Sequence, residues 1–179
     1  AAWAFTVAAL LWVYLGIQKG QVTQDGLTGL NNRRRLDQYM WELDERSGER
    51  ETCCYLLMDV NKFKKVNDTY GHVTGDEVLR LVAEQLKRTF GNMQAFLARY
   101  GGDEFVVIVK GKTQDEMDVI IHQTQENVNA IAWGADTPWQ LSISIGCAMR
   151  GEQGKQKSHE LLALADERMY RQKKGIQDR

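Results

Sequence analysis

The stretch Arg99-Tyr-Gly-Gly-Asp-Glu-Phe105 is predicted to join two strands as a hairpin, and it runs directly into the four aliphatic residues 106–109. The adjacent glycines Gly101 and Gly102 allow a tight turn and leave room for a bulky ligand to approach the main chain. Asp103 and Glu104 then place two carboxylates where a strand begins. The same residues suit an ordinary hairpin turn with solvated acids, so the stretch alone leaves both interpretations open.

A second acidic strand end lies upstream. Residues 53–58 form an apolar run that stops at Asp59. A continuously apolar strand is usually covered on both faces, so a carboxylate at its end tends to lie at the rim of a cleft. If the two strands are neighbours, Asp59, Asp103 and Glu104 converge, and a divalent metal ion could bind there.

The residues after Asp59 run from a strand directly into the start of a helix. Free backbone N–H groups at a helix N-terminus bind phosphate well, and Lys64 or Lys65 adds positive charge. One strand end therefore predicts a carboxylate for a metal ion and amides for phosphate, which is the outline of a nucleoside triphosphate site.

Apolar periodicity predicts the remaining elements. Helical spacing is present in residues 36–43, 79–90, 117–131 and 161–169, and strands are expected at 53–59, 95–99, 105–109 and 141–147. The spacing of Thr74 and Glu77 is that of a capping box, and the alternation in 141–147 indicates a half-buried strand. The order of the elements predicts an α/β (α+β) fold, with one antiparallel or mixed sheet and helices packed on it.

Composition limits the classes of function. The 179 residues suffice for one globular domain with an appendage, and a net charge of −1 gives no basic field to attract nucleic acid. The three cysteines fit a reducing compartment and are interpreted as small buried hydrophobes. The three histidines lack the spacing of metal ligands, so zinc is not expected.

The first 17 residues carry no charge, include Trp3, Trp12 and Tyr14, and are followed by Lys19. This pattern is typical of the end of a transmembrane helix with its cytoplasmic flank, and a helix buried in a soluble protein is the alternative. We expect residues 1–18 to end a membrane span, 19–31 to be a linker and 32–179 to form the globular domain. On this hypothesis the chain is the C-terminal part of a longer protein.

Five segments resemble, in order, the signatures of GGDEF-domain diguanylate cyclases. They are residues 25–34, 59–68, 70–76, 101–105 and 165–170. The resemblance covers about residues 25–174. It implies a sheet like the palm of adenylyl cyclases and polymerases, and an enzyme that joins two GTP into the signalling molecule cyclic di-GMP with release of two pyrophosphates.

The resemblance also implies roles for the acidic residues. Asp59, the carbonyl of Val60, Asp103 and Glu104 align with ligands of two Mg²⁺ ions per active site, with Mn²⁺ as a substitute. Asp103 aligns with the general base for the ribose 3′-hydroxyl, and Glu104 with a further acidic catalytic role. Hard oxygen ligands of this kind are what Mg²⁺ prefers.

Substrate contacts follow from the same resemblance. Asn67 and Asp76 align with the pair that recognises guanine, and Asp76 has a capping role as its alternative. The phosphate contacts are the backbone amides of Lys62 and Phe63 with the side chains of Lys64 and Lys173, while Gly101 and Gly102 line the site. Because each domain holds one GTP, two domains must meet face to face as a homodimer.

The segment preceding the domain is then the membrane anchor of a missing sensory region, in the bacterial inner membrane with the domain in the cytoplasm.

Two segments depart from the family pattern. Residues 92–95 read Asn-Met-Gln-Ala where many members have an inhibitory Arg-x-x-Asp site, which predicts no product inhibition there. Residues 173–178 read Lys-Lys-Gly-Ile-Gln-Asp where the family often has Lys-x-x-Gly-Arg-Asn, so no second phosphate-binding basic residue is assigned here. A non-catalytic domain that binds GTP or its product, and another nucleotidyl cyclase on the same palm, are the alternatives.

Overall fold

The computed structural model describes residues 23–46, 52–133, 140–151 and 156–177, together with residues 3, 5–7 and 10. From residue 23 onward, the described residues contain five helices and four strands. The helices are α1 (Arg33–Glu45), α2 (Phe63–Tyr70), α3 (His72–Phe90), α4 (Gln114–Asn129) and α5 (Ser158–Gln177). The strands are β1 (Cys53–Val60), β2 (Ala95–Gly101), β3 (Glu104–Lys110) and β4 (Ile143–Met149).

The four strands form one sheet in the order β2-β3-β1-β4, and each neighbouring pair is antiparallel. Successive side chains of a strand point to opposite faces. Even-numbered β1 residues such as Leu56 and Met58 therefore meet α3 and α4, whereas Tyr55 and Leu57 meet α1 and α5. Because both faces are covered, all eight residues of β1 are buried.

Strand β4 differs from the expectation of a half-buried strand. Six of its seven residues are buried, because α4 covers one face and α5 the other. It is also an edge strand, and side chains of both helices cap its outer backbone groups. Gln125 donates to the Ile143 carbonyl at 3.2 Å, the Ile145 N–H donates to Gln172 at 2.6 Å, and Arg168 donates to the Cys147 carbonyl at 2.6 Å. This arrangement closes an edge that would otherwise pair with another strand.

The predicted capping box at Thr74 is wrong. Helix α3 begins at His72, and the single residue Gly71, with φ +84°, joins it to the end of α2. Thr74 therefore lies inside the first turn, where its hydroxyl donates to the Tyr70 carbonyl at 2.9 Å. A capping box does form at the start of α4, between Thr113 and Glu116.

Residues 25–31, expected to belong to a linker, form a loop bonded to the edge of β2. The Asn31 N–H donates to the Leu97 carbonyl, and the Arg99 N–H donates to the Asn31 carbonyl at 2.8 Å. Most of residues 1–22, where the membrane span is predicted, lies outside the described residues. Within the part of the chain that is described, we find no helix with the length and apolar character needed to cross a membrane.

Candidate active site

The acidic strand ends do meet. Asp59 and Glu104 are direct partners across the β1–β3 pair, so their side chains leave the same face of the sheet at its same end. The N–H of the next residue, Val60, donates to the carbonyl of Asp103 at 3.2 Å. The antiparallel pairing of two apolar strands thus brings Asp59, Val60, Asp103 and Glu104 together.

These carboxylates lie in an unfavourable charge environment. Asp59 is 6% exposed, and its burial raises the pKa of its carboxyl group, as does the charge of Asp103. Lys173 opposes this rise by donating to Asp59 Oδ1 at 2.7 Å. Burial also raises the pKa of Glu104, followed by the charges of Asp59, Asp103 and Asp166. The site therefore carries more negative than positive charge.

The expected three-carboxylate metal centre is not preformed. Among the residues that the structure describes, no three acidic, histidine or cysteine side chains are placed to hold one metal ion together. The ammonium group of Lys173 pairs with Asp59 at 2.7 Å. What the structure offers is a set of hard oxygen donors around one strand end.

The glycine-rich turn has two residues, Gly102 and Asp103, between paired Gly101 and Glu104. Neither glycine has the positive φ that the sequence suggested, so the turn does not need glycine for that reason. The expectation that the glycines leave room for a ligand fits the structure. A side chain at Gly102 would meet no atom within 4 Å, so the backbone here is open to a ligand.

Arg99 fixes this turn, and the sequence reasoning gave it no role. Its guanidinium donates to the Gly102 carbonyl at 2.7 and 3.0 Å, and it pairs with Asp25 at 3.2 Å. Asp25 in turn accepts from both the N–H and the hydroxyl of Thr28. Burial works to raise the pKa of Asp25, but the hydrogen bonds from Thr28 and Arg99 outweigh it and hold the pKa below its ordinary value. In the sequence, the position of Arg99 two residues before the glycine pair was the signal that could have indicated this role.

The proposed phosphate contacts lie where β1 passes into α2. Asn61 ties this strand end to β4, because its amide donates to Ser142 at 3.0 Å and its oxygen accepts from Ser144 at 2.7 Å. Lys62 then adopts a left-handed conformation with φ 58°, the only non-glycine residue with positive φ in the described ranges. This conformation is uncommon, and it directs the chain into α2, whose first N–H groups have no acceptor within the helix.

Asn67 and Asp76 come from different helices that are packed together. A Cβ atom on Gly75 would lie 1.9 Å from Asn67 Oδ1, so Gly75 leaves the space that the Asn67 side chain fills. Asn67 Oδ1 is buried and has no hydrogen-bond partner in the structure. Such an acceptor is uncommon in folded proteins and is a reason to expect a ligand. Asp76, the residue after Gly75, is exposed.

Helix α5 places Lys173 over the site. It contacts β4 at Gly146, where a Cβ atom would lie 1.8 Å from the Ala165 carbonyl oxygen and 2.4 Å from the Met169 nitrogen. Ala165, Met169 and Lys173 follow at four-residue spacing, so they share one face of the helix. The close contact at Gly146 thus sets how far Lys173 reaches toward Asp59. The sequence alone did not indicate this role for Gly146.

Comparison with known proteins agrees with this geometry. The family described as "Diguanylate cyclase, GGDEF domain" matches residues 22–179. The chain belongs to this family. The resemblance inferred from the motifs is therefore confirmed, and the family match includes the loop of residues 25–31.

Among curated GGDEF relatives, the probable diguanylate cyclase DgcI of Escherichia coli K12 is 38% identical over 156 residues, covering 84% of this chain and 31% of that protein. The diguanylate cyclase DosC of the same strain is 34% identical over 161 residues, covering 86% of this chain and 34% of that protein. The chain thus spans about a third of the length of these two relatives.

Among solved structures, the coiled coil and GGDEF domain of DgcB from Caulobacter crescentus, in complex with c-di-GMP, is similar with a TM-score of 0.80 and 28% identity. The match covers 97% of this chain and 92% of the DgcB chain. The expected α+β fold of GGDEF domains, with a central sheet and surrounding helices, is therefore confirmed.

Proposed function

We propose that this chain is the catalytic domain of a diguanylate cyclase, which condenses two GTP into cyclic di-GMP and releases two pyrophosphates. The observation that carries the proposal is the meeting of Asp59, Val60, Asp103 and Glu104 at one end of two paired strands. Membership of the family and the printed names of its relatives support the same reaction.

The donor chemistry of the site suits divalent metal ions. Asp59, Asp103, Glu104 and the carbonyl of Val60 offer hard oxygens, and burial raises the pKa values of Asp59 and Glu104, with neighbouring carboxylates adding to the rise. We propose that these four residues hold two Mg²⁺ ions, for which Mn²⁺ can substitute. Bound ions would neutralise phosphate charge and stabilise the attacking and leaving oxygens.

The chain's own residues then perform the proton transfer and the positioning. The Asp103 carboxylate accepts the proton of the ribose 3′-hydroxyl as that oxygen attacks the α-phosphate of the second GTP. Glu104, on the partner position of Asp59, supports the same acidic centre. Arg99 holds the Gly102 carbonyl, so the turn that carries Asp103 keeps its position during the reaction.

Guanine recognition is assigned to Asn67 and Asp76. The unpaired Asn67 Oδ1 can accept a hydrogen bond from the base, and the exposed Asp76 carboxylate can accept from N1–H and the exocyclic amine. Adenine does not offer those donors in this pattern. A site built on such bonds rejects an analogue that lacks them, because its buried polar groups would stay unpaired.

The phosphates are assigned to the start of α2 and to two lysines. The amides of Lys62 and Phe63 lie at the N-terminus of α2, where the helix dipole favours anions. Lys64 and Lys173 add charge. Lys173 pairs with Asp59 in the structure, so we propose that it exchanges this carboxylate for a phosphate oxygen when nucleotide binds.

Ring closure needs two GTP molecules, and we propose that two domains face each other as a homodimer, each with one nucleotide.

Residues 1–17 carry no charge, and the described side chains Trp3, Phe5 and Leu10 are largely exposed. These features support the proposal that this segment enters the bacterial inner membrane, with the domain in the cytoplasm and a sensory region beyond the membrane segment. Fractionation of cells that express the chain with and without residues 1–18 tests it, and equal recovery in the membrane fraction would contradict it.

The reaction is tested with the chain fused at its N-terminus to a parallel dimeric coiled coil, so that dimerisation does not limit activity. The purified protein is incubated with GTP and Mg²⁺, and the products are separated by chromatography. Asp103→Ala and Asp59→Asn should each lower the rate by about 10²-fold or more. Asp115→Asn, an exposed carboxylate on α4, is the matched control and should keep the parent rate. Equal product from all four proteins would show that the acidic site is assigned wrongly.

A further inference from the structure

Two cysteines that are distant in sequence lie side by side in the core. Cys54 is on β1 and Cys147 on β4, and both side chains face α3 and α4. In the pairing of these strands Leu56 is opposite Cys147 and Cys54 is opposite Met149, so the cysteines are diagonal neighbours. Their sulfur atoms are 2.9 Å apart. Neither cysteine is in a disulfide bond.

The two thiols differ in their surroundings. Cys54 is 1% exposed, whereas Cys147 is 9% exposed, close to the start of α4 and to Arg168. The hydrogen bond with Cys54 lowers the pKa of the Cys147 thiol, and Arg168 adds to this effect against the cost of burial. The hydrogen bond with Cys147 raises the pKa of Cys54, and burial raises it further. Cys147 is therefore the thiol that loses its proton first.

We propose that Cys147 and Cys54 form a reversible disulfide when the protein meets a hydroperoxide. Neither thiol has a part in the site at the other end of β1, so the proposal stands apart from the proposed reaction. A thiolate beside a second thiol is the arrangement in which oxidation ends as a disulfide instead of proceeding to higher oxides.

The chemistry balances in two steps. The Cys147 thiolate attacks the peroxide O–O bond, giving Cys147 sulfenic acid and an alcohol or water once one proton is taken up. The Cys54 sulfur then attacks the sulfenic sulfur, forming the S–S bond and releasing water. The two sulfurs together lose two electrons, which the peroxide accepts. Loss of the Cys147 negative charge also removes one cause that keeps Cys54 protonated.

The sulfur atoms need only a short approach, while β1 and β4 must adjust locally because the Cα atoms of diagonal neighbours are farther apart than in most disulfides. A disulfide has an S–S distance of about 2.05 Å, so the sulfurs have to approach by about 0.9 Å from 2.9 Å. The backbones of β1 and β4 are already paired. Cys53 lies next to Cys54 in sequence but faces α1 and α5 on the opposite side of the sheet. It therefore serves as a matched control with the same chemistry and similar burial.

The experiment uses hydrogen peroxide as the probe. The folded chain is treated with peroxide, the reaction is stopped with catalase, and the remaining thiols are alkylated with N-ethylmaleimide after unfolding. Intact mass counts the adducts, and digestion identifies any linked peptides. Parent, Cys53→Ser, Cys54→Ser and Cys147→Ser proteins are compared, each first shown to be folded by its thermal melt.

We expect the parent to lose two of its three adducts together, and the protein measured before alkylation to be lighter by about 2 Da, a change that dithiothreitol reverses. Cys53→Ser should form the same link between peptides containing residues 54 and 147, whereas Cys54→Ser and Cys147→Ser should form no link. Retention of all three adducts in the parent would overturn the proposal. So would a link that contains Cys53, or accumulation of Cys147 sulfinic acid without a link.

Discussion

Gly146 is the position where one added carbon should disturb the most. In Gly146→Ala the new Cβ atom would lie 1.8 Å from the Ala165 carbonyl oxygen, whereas ordinary contact begins near 3.4 Å. Helix α5 must therefore withdraw by about 1.6 Å, the difference between these distances. If the helix moves as a rigid body, the 2.7 Å contact between Lys173 and Asp59 lengthens to about 4 Å and the hydrogen bond is lost.

The energetic cost follows from this displacement. Overpacking a close contact costs about 1–3 kcal/mol, and replacing glycine returns up to about 1 kcal/mol by restricting the unfolded chain. The net loss of about 1–2 kcal/mol corresponds to a fall in Tm of about 2–8 °C for a chain of this size. On the proposed function, withdrawal of the partly exposed Lys173 also weakens GTP binding by about 1 kcal/mol, or about fivefold in KM.

Calorimetric melts and GTP titrations of the parent, Gly146→Ala and Gly175→Ala measure both effects. Gly175 is also in α5, but a Cβ atom there would meet nothing within 4 Å. Its replacement should leave Tm unchanged or raise it, because alanine favours helix. If Gly146→Ala had the same Tm as Gly175→Ala and bound GTP like the parent, the packing of α5 on β4 would not control the position of Lys173.

Three further predictions follow from the site. Glu104→Gln should raise the Tm of the metal-free protein by a few degrees at pH 7, because the raised pKa means that ionised Glu104 destabilises the fold. The gain should vanish as pH falls below about 4.3, where Glu104 is neutral in the folded and unfolded chain alike, and melts across pH check it. Arg99→Gln should lower kcat about tenfold or more with a smaller change in KM, because the Gly102 carbonyl is released; a change in KM alone would contradict this. Calorimetric titration of Asp103→Ala with cyclic di-GMP should show no tight binding at residues 92–95, and tight, saturable binding that depends on an arginine would contradict this prediction.

Much of the fold follows from local pattern. The apolar run that ends at Asp59 and the hairpin around Gly102 are set by residues close in sequence, and the predicted strands agree with β1, β2 and β3 to within two residues at each end. The start of α3 was misplaced because Gly71 allows two helices to follow each other with no capping side chain. The burial of β4 was missed because the alternation of its residues does not show that α4 and α5 cover both of its faces.

Part of the candidate site was likewise predictable from the sequence, and part of it was not. The meeting of Asp59 with Glu104 was predictable, because acidic residues at the ends of neighbouring antiparallel strands face each other. The roles of Arg99, Gly146 and the Lys173–Asp59 pair were not, since each depends on where another segment lies. The placement of these carboxylates, which form no three-carboxylate centre in the described residues, likewise depends on side-chain positions that a sequence pattern does not report.

The most direct test of the central claim is the identity and stoichiometry of what the dimerised chain makes from GTP and Mg²⁺. The proposed reaction yields one cyclic di-GMP for every two GTP consumed and two pyrophosphates released, with ATP giving no cyclic product. Hydrolysis of GTP to GDP without a cyclic dinucleotide, or equal use of ATP, would contradict it.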